Sequence, residues 1–170
     1  MTPALAMLFL AAVLLSLATP GAAAQERGGI ATYRNERHGF SLSYPAGAFA
    51  VQPPPAAGEG RMFISHDGNA RLLAGALPNA DGVNLRDYRA LVLQQSYSGA
   101  DIDYAPVGST WFVLSGIRDG VMFYERVTFT CGGRLINSWA MLYPAAERRL
   151  YDRIVEQVAR SYRAGEGSCG

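Results

Sequence analysis

Between residues 110 and 143 apolar and polar side chains alternate in three runs, 110–117, 121–130 and 134–143, broken at Arg118-Asp-Gly120 and at Gly132-Gly133. A period of two interrupted by glycine turns predicts three antiparallel strands in a meander. Taking Gly132-Gly133 as a two-residue turn sets Cys131 opposite Arg134, Phe129 opposite Ile136, Val127 opposite Ser138, Glu125 opposite Ala140 and Phe123 opposite Leu142. The intervening residues form the second face, with Thr128 opposite Asn137, Arg126 opposite Trp139 and Tyr124 opposite Met141. Phe112 and Leu114 of the preceding strand are expected to join that second face. Both faces carry large apolar side chains, so both need a cover.

Two helical patterns supply the covers. Asn84 is a good N-cap with Asp87 in the first turn, and Leu85, Tyr88, Leu91, Val92 and Gln95 follow at helical spacing to about Tyr97. From 146 to 162, Leu150, Ile154, Val158 and Tyr162 recur every four residues opposite a charged side, which predicts an amphipathic C-terminal helix. Earlier in the chain, residues 40–44 alternate before Pro45 and read as a strand with one wet face. Residues 62–65 and 71–77 flank the turn cluster His66-Asp-Gly-Asn69 and read as a hairpin, while the proline-rich stretch 52–60 reads as a surface loop. The expected class is α/β, of the α+β kind: a central antiparallel sheet of about six strands sandwiched between helices.

The N-terminus carries a different pattern. Residues 5–17 are almost unbroken apolar, Pro20 and Gly21 follow, and Ala22-Ala23-Ala24 precede Gln25. That is the layout of a secretory signal peptide cut near Ala24, leaving a single domain over 25–170 with no stable membrane span. No basic residue precedes the apolar run, so an uncleaved anchor is the alternative. The localisation expected is periplasmic or secreted.

Charge narrows the partners. Fifteen basic residues, all arginine, face 14 acidic ones for a net charge of +1, which argues against nucleic acid. Cys131 and Cys169 are the only cysteines, and an oxidising compartment favours their pairing. The geometry permits it: the strand after Cys131 runs about 33 Å away and the C-terminal helix returns about 27 Å. Because Cys131 points to the Phe123/Phe129 face, the C-terminal helix is expected to cover that face.

The stretch His38-Gly-Phe-Ser-Leu-Ser-Tyr-Pro45 resembles the opening strand of the PsbP-like family, whose members often begin with a Gly-Phe-Ser-hydrophobic-x-Tyr-Pro segment, and the order of elements is similar. The family includes the photosystem II extrinsic protein PsbP, the yeast Ran-binding protein Mog and bacterial lipoproteins of the LpqN and DcrB types. The resemblance implies an antiparallel sheet between helices. Many members are non-catalytic, and it transfers no binding residues. No cysteine follows the leader to take a lipid.

Candidate chemistry is sparse. His66-Asp67 with Ser65, Ser96, Ser109 or Ser115 offers no nucleophile elbow, so His66-Asp67 reads as a turn. His38 and His66 are too few for zinc, and Asp101-Ile-Asp103 lacks the rest of a calcium loop and reads as a solvated strand start. Neither a catalytic set, a metal site nor a cofactor is expected.

Glu125 falls on an apolar face, where a carboxylate needs a partner; an ion pair with an arginine of the C-terminal helix is expected, with a ligand-binding or acid/base carboxylate as the alternative. On the other face Arg126 opposite Trp139 fits a cation–π stack, and with Tyr124 these residues form a candidate binding groove with one fixed cation. The function expected is that of an exported, non-catalytic accessory protein binding a protein or small molecule in the cell envelope. A small periplasmic hydrolase with a scattered site is the alternative, and an envelope-stress or solute-binding role like that of DcrB is a third.

Overall fold

The computed structural model describes residues 29–167 and Cys169. The leader expected over 1–24 lies outside the described residues. Strands β3 (Phe49–Val51), β4 (Gly60–Ser65), β5 (Arg71–Pro78), β6 (Asp101–Tyr104), β7 (Trp111–Arg118), β8 (Val121–Thr130) and β9 (Leu135–Pro144) form one antiparallel sheet in the order β3-β4-β5-β9-β8-β7-β6. The sheet has seven strands rather than about six. Strands β1 (Ile30–Arg34) and β2 (Ser41–Pro45) pair only with each other, so the strand read at 40–44 belongs to a separate ribbon. It has little wet surface: Leu42 and Tyr44 are buried, and Ser43 N–H donates to Ser161 Oγ.

The meander register is the one the alternation implies, with Phe129 on Ile136, Arg126 on Trp139 and Phe123 on Leu142. Asp119 and Gly120 join β7 to β8 with φ of 52° and 78°, the left-handed pair that a two-residue hairpin requires. Because Arg118 pairs with Val121 across that turn, Phe112 falls opposite Val127 and Leu114 opposite Glu125. Both therefore lie on the Phe123 face, not on the Tyr124 face expected for them.

Helix α1 (Leu85–Ser96) is capped as its sequence implies, the Asn84 side chain accepting from Asp87 N–H at 2.9 Å. It lies over Phe112, Leu114, Phe123, Val127, Phe129 and Ile136 through Val92 and Tyr97. Helix α2 (Arg148–Ser161) buries Tyr151, Ile154, Val155 and Val158, and with the β1–β2 ribbon it packs on Trp139, Met141 and Tyr143. Leu150, assigned to the buried stripe from its spacing, is 47% exposed, and Tyr151 takes its place.

The two covers are thus exchanged relative to the sequence expectation: α2 lies on the Trp139 face and α1 on the Phe123 face. The reason lies at Cys131. Its φ of 56° starts a single 3-10 turn, Cys131–Gly133, so strand alternation no longer fixes the direction of its side chain. It still bonds Cys169, with Cα atoms 5.2 Å apart. After α2 the chain bridges Arg163 to Ser41 and runs along the Asn137 end of the sheet. Among the described residues no helix is long and apolar enough to cross a membrane.

Candidate functional site

Residues 124, 126 and 128 alternate toward the α2 side of β8, which brings Tyr124 and Arg126 beside Trp139. The structure does bring these three predicted residues together, but the cation is not on Trp139. Trp139 is 1% exposed, stacked on Tyr124 at 5.0 Å between centroids and 6.1 Å from Tyr162. With both flanks of that indole occupied, Arg126 turns toward β7, where its guanidinium carbon lies 4.7 Å from the centroid of Trp111. Gly108 makes room for that ring, since a Cβ there would sit 2.3 Å from the indole nitrogen.

Trp111 is the site residue the sequence reading missed. The Asp119-Gly120 turn contains the signal, because counting back from it places Trp111 opposite Thr128 and on the face of Arg126.

The ion pairs among the described residues, Arg148–Asp152 and Arg160–Glu156, both lie along α2, so none neutralises Arg126. In the Trp139 cluster two polar atoms are sealed from solvent without partners, Trp139 Nε1 and Tyr162 Oη. Burial pushes the Tyr162 and Tyr124 phenols up from the ordinary tyrosine value, and the Arg126 charge draws both partly back, so the guanidinium is in electrostatic reach of both hydroxyls. The cluster is rich in donors, and among the described residues no carboxylate forms an ion pair with its arginine.

Glu125 points to the opposite face and pairs with no arginine among the described residues. The expected pair with the C-terminal helix does not form because α2 covers the other side of the sheet. Instead Tyr97, the residue that ends α1, donates its hydroxyl to Glu125 Oε2 at 2.7 Å. Burial raises the Glu125 carboxyl above the usual glutamate value, and the Tyr97 bond only partly opposes it.

A raised folded value means the protonated form is favoured by folding, so this stabilisation is complete below the unfolded value of about 4.3 and is lost as pH rises through the folded value. Glu125→Gln removes this titration. Urea unfolding from pH 4 to 7 is therefore expected to show wild type losing stability relative to the variant as pH rises. A constant difference between the two would contradict the burial of this charge.

His66 and Asp67 form the β4–β5 turn, as read. Asp67 Oδ1 accepts from Asn69 N–H at 3.0 Å and from Ser65 Oγ, and Ser65 Oγ accepts from Ala70 N–H at 2.8 Å. Ser65 is thereby committed to holding the turn. Among the described residues no three His, Cys, Asp or Glu side chains gather in a way that could hold a metal ion. Cys131 and Cys169 form the disulfide that the sequence led us to expect.

No family model matches the chain, and no curated protein sequence matches it. Among solved structures it is similar to cyanobacterial PsbP (CyanoP) from Synechocystis sp. PCC 6803, at 14% identity over 87% of this chain and 98% of that one, with a TM-score of 0.60. It is also similar to the Saccharomyces cerevisiae Ran-binding protein Mog1p, at 9% identity over 81% of this chain and 96% of that one, with a TM-score of 0.55. At these identities the likeness concerns the fold, which is PsbP/Mog1-like.

Proposed function

We propose that this protein is an exported, non-catalytic binding protein of the cell envelope, and that the Arg126 ledge receives a carboxylate from a small molecule or from a partner protein. One observation carries the reading. Arg126 Cζ lies over the Trp111 ring, 4.7 Å from its centroid, and no carboxylate pairs with it among the described residues.

A guanidinium held on an aromatic plane has lost rotamer freedom in advance and keeps a planar fork of donors, which a carboxylate matches in two bonds. A single cation balances a monoanion, whereas a dianionic phosphate would leave an unpaired charge. The disulfide supports residence outside the reducing cytosol. Mog1p is a Ran-binding protein, and a fold of this kind is therefore compatible with presenting a surface to a partner.

The expected result in a thermal-shift and calorimetric screen of monocarboxylates is saturable binding to wild type and a loss of about tenfold or more in Arg126→Ala, the scale of one charge-assisted bidentate contact. Equal responses of the two proteins to every carboxylate would overturn the assignment. Labelling by a serine-directed activity probe would also contradict it.

A further inference from the structure

We propose that the carboxylate received by Arg126 belongs to an arylalkanoate, whose ring seats between Tyr104 and Tyr124 over Ser115. The inference rests on the reading of Arg126 as a carboxylate site and adds the class of ligand.

Strand pairing builds the slot. Tyr104 of β6 lies opposite Ser115 of β7, and Ser115 lies opposite Tyr124 of β8, so the three side chains form one row on the face that carries Arg126. Neighbouring strands stand about 4.8 Å apart, which sets the two tyrosine positions about 10 Å from each other with only a serine between them. Offset-stacked rings have centroids roughly 4.5–7 Å apart, so a third ring placed over the serine meets both tyrosines.

The row is open where the slot lies. Helix α2 and the β1–β2 ribbon pack on Trp139, Met141 and Tyr143, whereas toward the β6 edge Tyr104 is 55% exposed and Ser115 and Tyr124 are half-buried. Trp139 occupies one side of the Tyr124 ring. Among the described residues Tyr124 makes no other aromatic contact and Tyr104 makes none. The two tyrosines are nonetheless close enough for a Tyr104 charge to act on the Tyr124 phenol, and the Arg126 charge acts on the same group.

Charge gives the ligand its sign and its direction. Arg126 lies two residues from Tyr124 along β8, about 7 Å, which a chain of two methylenes spans between a ring and its carboxylate. The acidic residues of β6 lie toward the other end of the row. Asp101 pairs with Ile117, on the far side of Ser115 from Val113, the partner of Arg126. The Asp103 charge acts on Arg148 and so already has a cation in reach, whereas no carboxylate pairs with Arg126 among the described residues. An anionic chain leaving the slot therefore runs toward Arg126, where an ammonium would meet a like charge.

Calorimetric titration of the purified protein with 3-phenylpropionate, hexanoate and 3-phenylpropylammonium tests this directly. The expected result is saturable binding of 3-phenylpropionate, about tenfold tighter than hexanoate, the scale of two aromatic contacts beyond area burial, and no comparable binding of the ammonium. Tyr104→Leu, at an exposed edge position, is expected to lower 3-phenylpropionate affinity about fivefold and to leave hexanoate unchanged. Ser115→Leu fills the slot and is expected to weaken 3-phenylpropionate at least as much. Hexanoate bound through Arg126 with 3-phenylpropionate no tighter would overturn the slot and leave the Arg126 ledge standing. Unchanged 3-phenylpropionate affinity in both variants, or 3-phenylpropylammonium bound as tightly as 3-phenylpropionate, would also overturn the slot. No saturable binding of either carboxylate would overturn the slot and the ledge together.

Discussion

Serine at Cys169 is expected to lower the free energy of unfolding by about 4 kcal/mol, the chain-entropy value for a closed loop of this length. The bridge joins positions 38 apart, and its loop contains all of β9 and α2. In urea the midpoint is expected to fall by roughly 2 M if the slope lies near 2 kcal/mol/M. Reduction of the wild-type protein should give the same curve as the variant. A midpoint that moves by less than about a quarter of that amount would mean the tail is held without help from the sulfurs.

The second large effect belongs to Asn137. Its side chain is completely enclosed, donates to Thr130 Oγ1 at 2.9 Å and to the Gly165 carbonyl at 3.2 Å, and accepts from Gly165 N–H at 2.9 Å. Thr130 Oγ1 also donates to that carbonyl, and Gly165 packs so closely that a Cβ would sit 2.0 Å from the His38 carbonyl oxygen. Asn137→Ala strips a buried N–H of its acceptor and opens a cavity, and a cost of about 2–4 kcal/mol is expected.

Asn137 and the disulfide fix the same tail, so their effects are coupled. The double variant is expected to be more stable than additivity implies by about 1 kcal/mol, read from a double-mutant cycle in urea. Strict additivity would show that the two latches act on separate units.

Much of this architecture was legible in the residues. The register of β8 and β9 followed residue by residue from one turn, and the N-cap at Asn84 set the start of α1. Two strands escaped because they are short and lack a clean alternation: β1 is a run of five residues leading into a polar stretch, and β3 has three residues, whereas β6 begins at the solvated strand start read at Asp101.

Which helix covers which face was not legible, because the inference ran through Cys131, where a left-handed backbone breaks the period of two. The partners of Glu125 and Arg126 were lost with it. Glu125 meets Tyr97 only because α1 is the helix above it, and Arg126 meets Trp111 only because Tyr124 and Tyr162 already occupy the flanks of Trp139. Spacing along one strand gives the face of a side chain, whereas its neighbour depends on what the opposing layer leaves open.

The assignment of the Arg126 ledge as a carboxylate site is tested most directly by titrating isotope-labelled protein with hexanoate while following the Arg126 Nε–H and Trp111 Nε1–H resonances. Saturating shifts confined to these two groups and their neighbours on the Tyr124 face are expected. Linear shifts of similar size across the 15 arginines would contradict it.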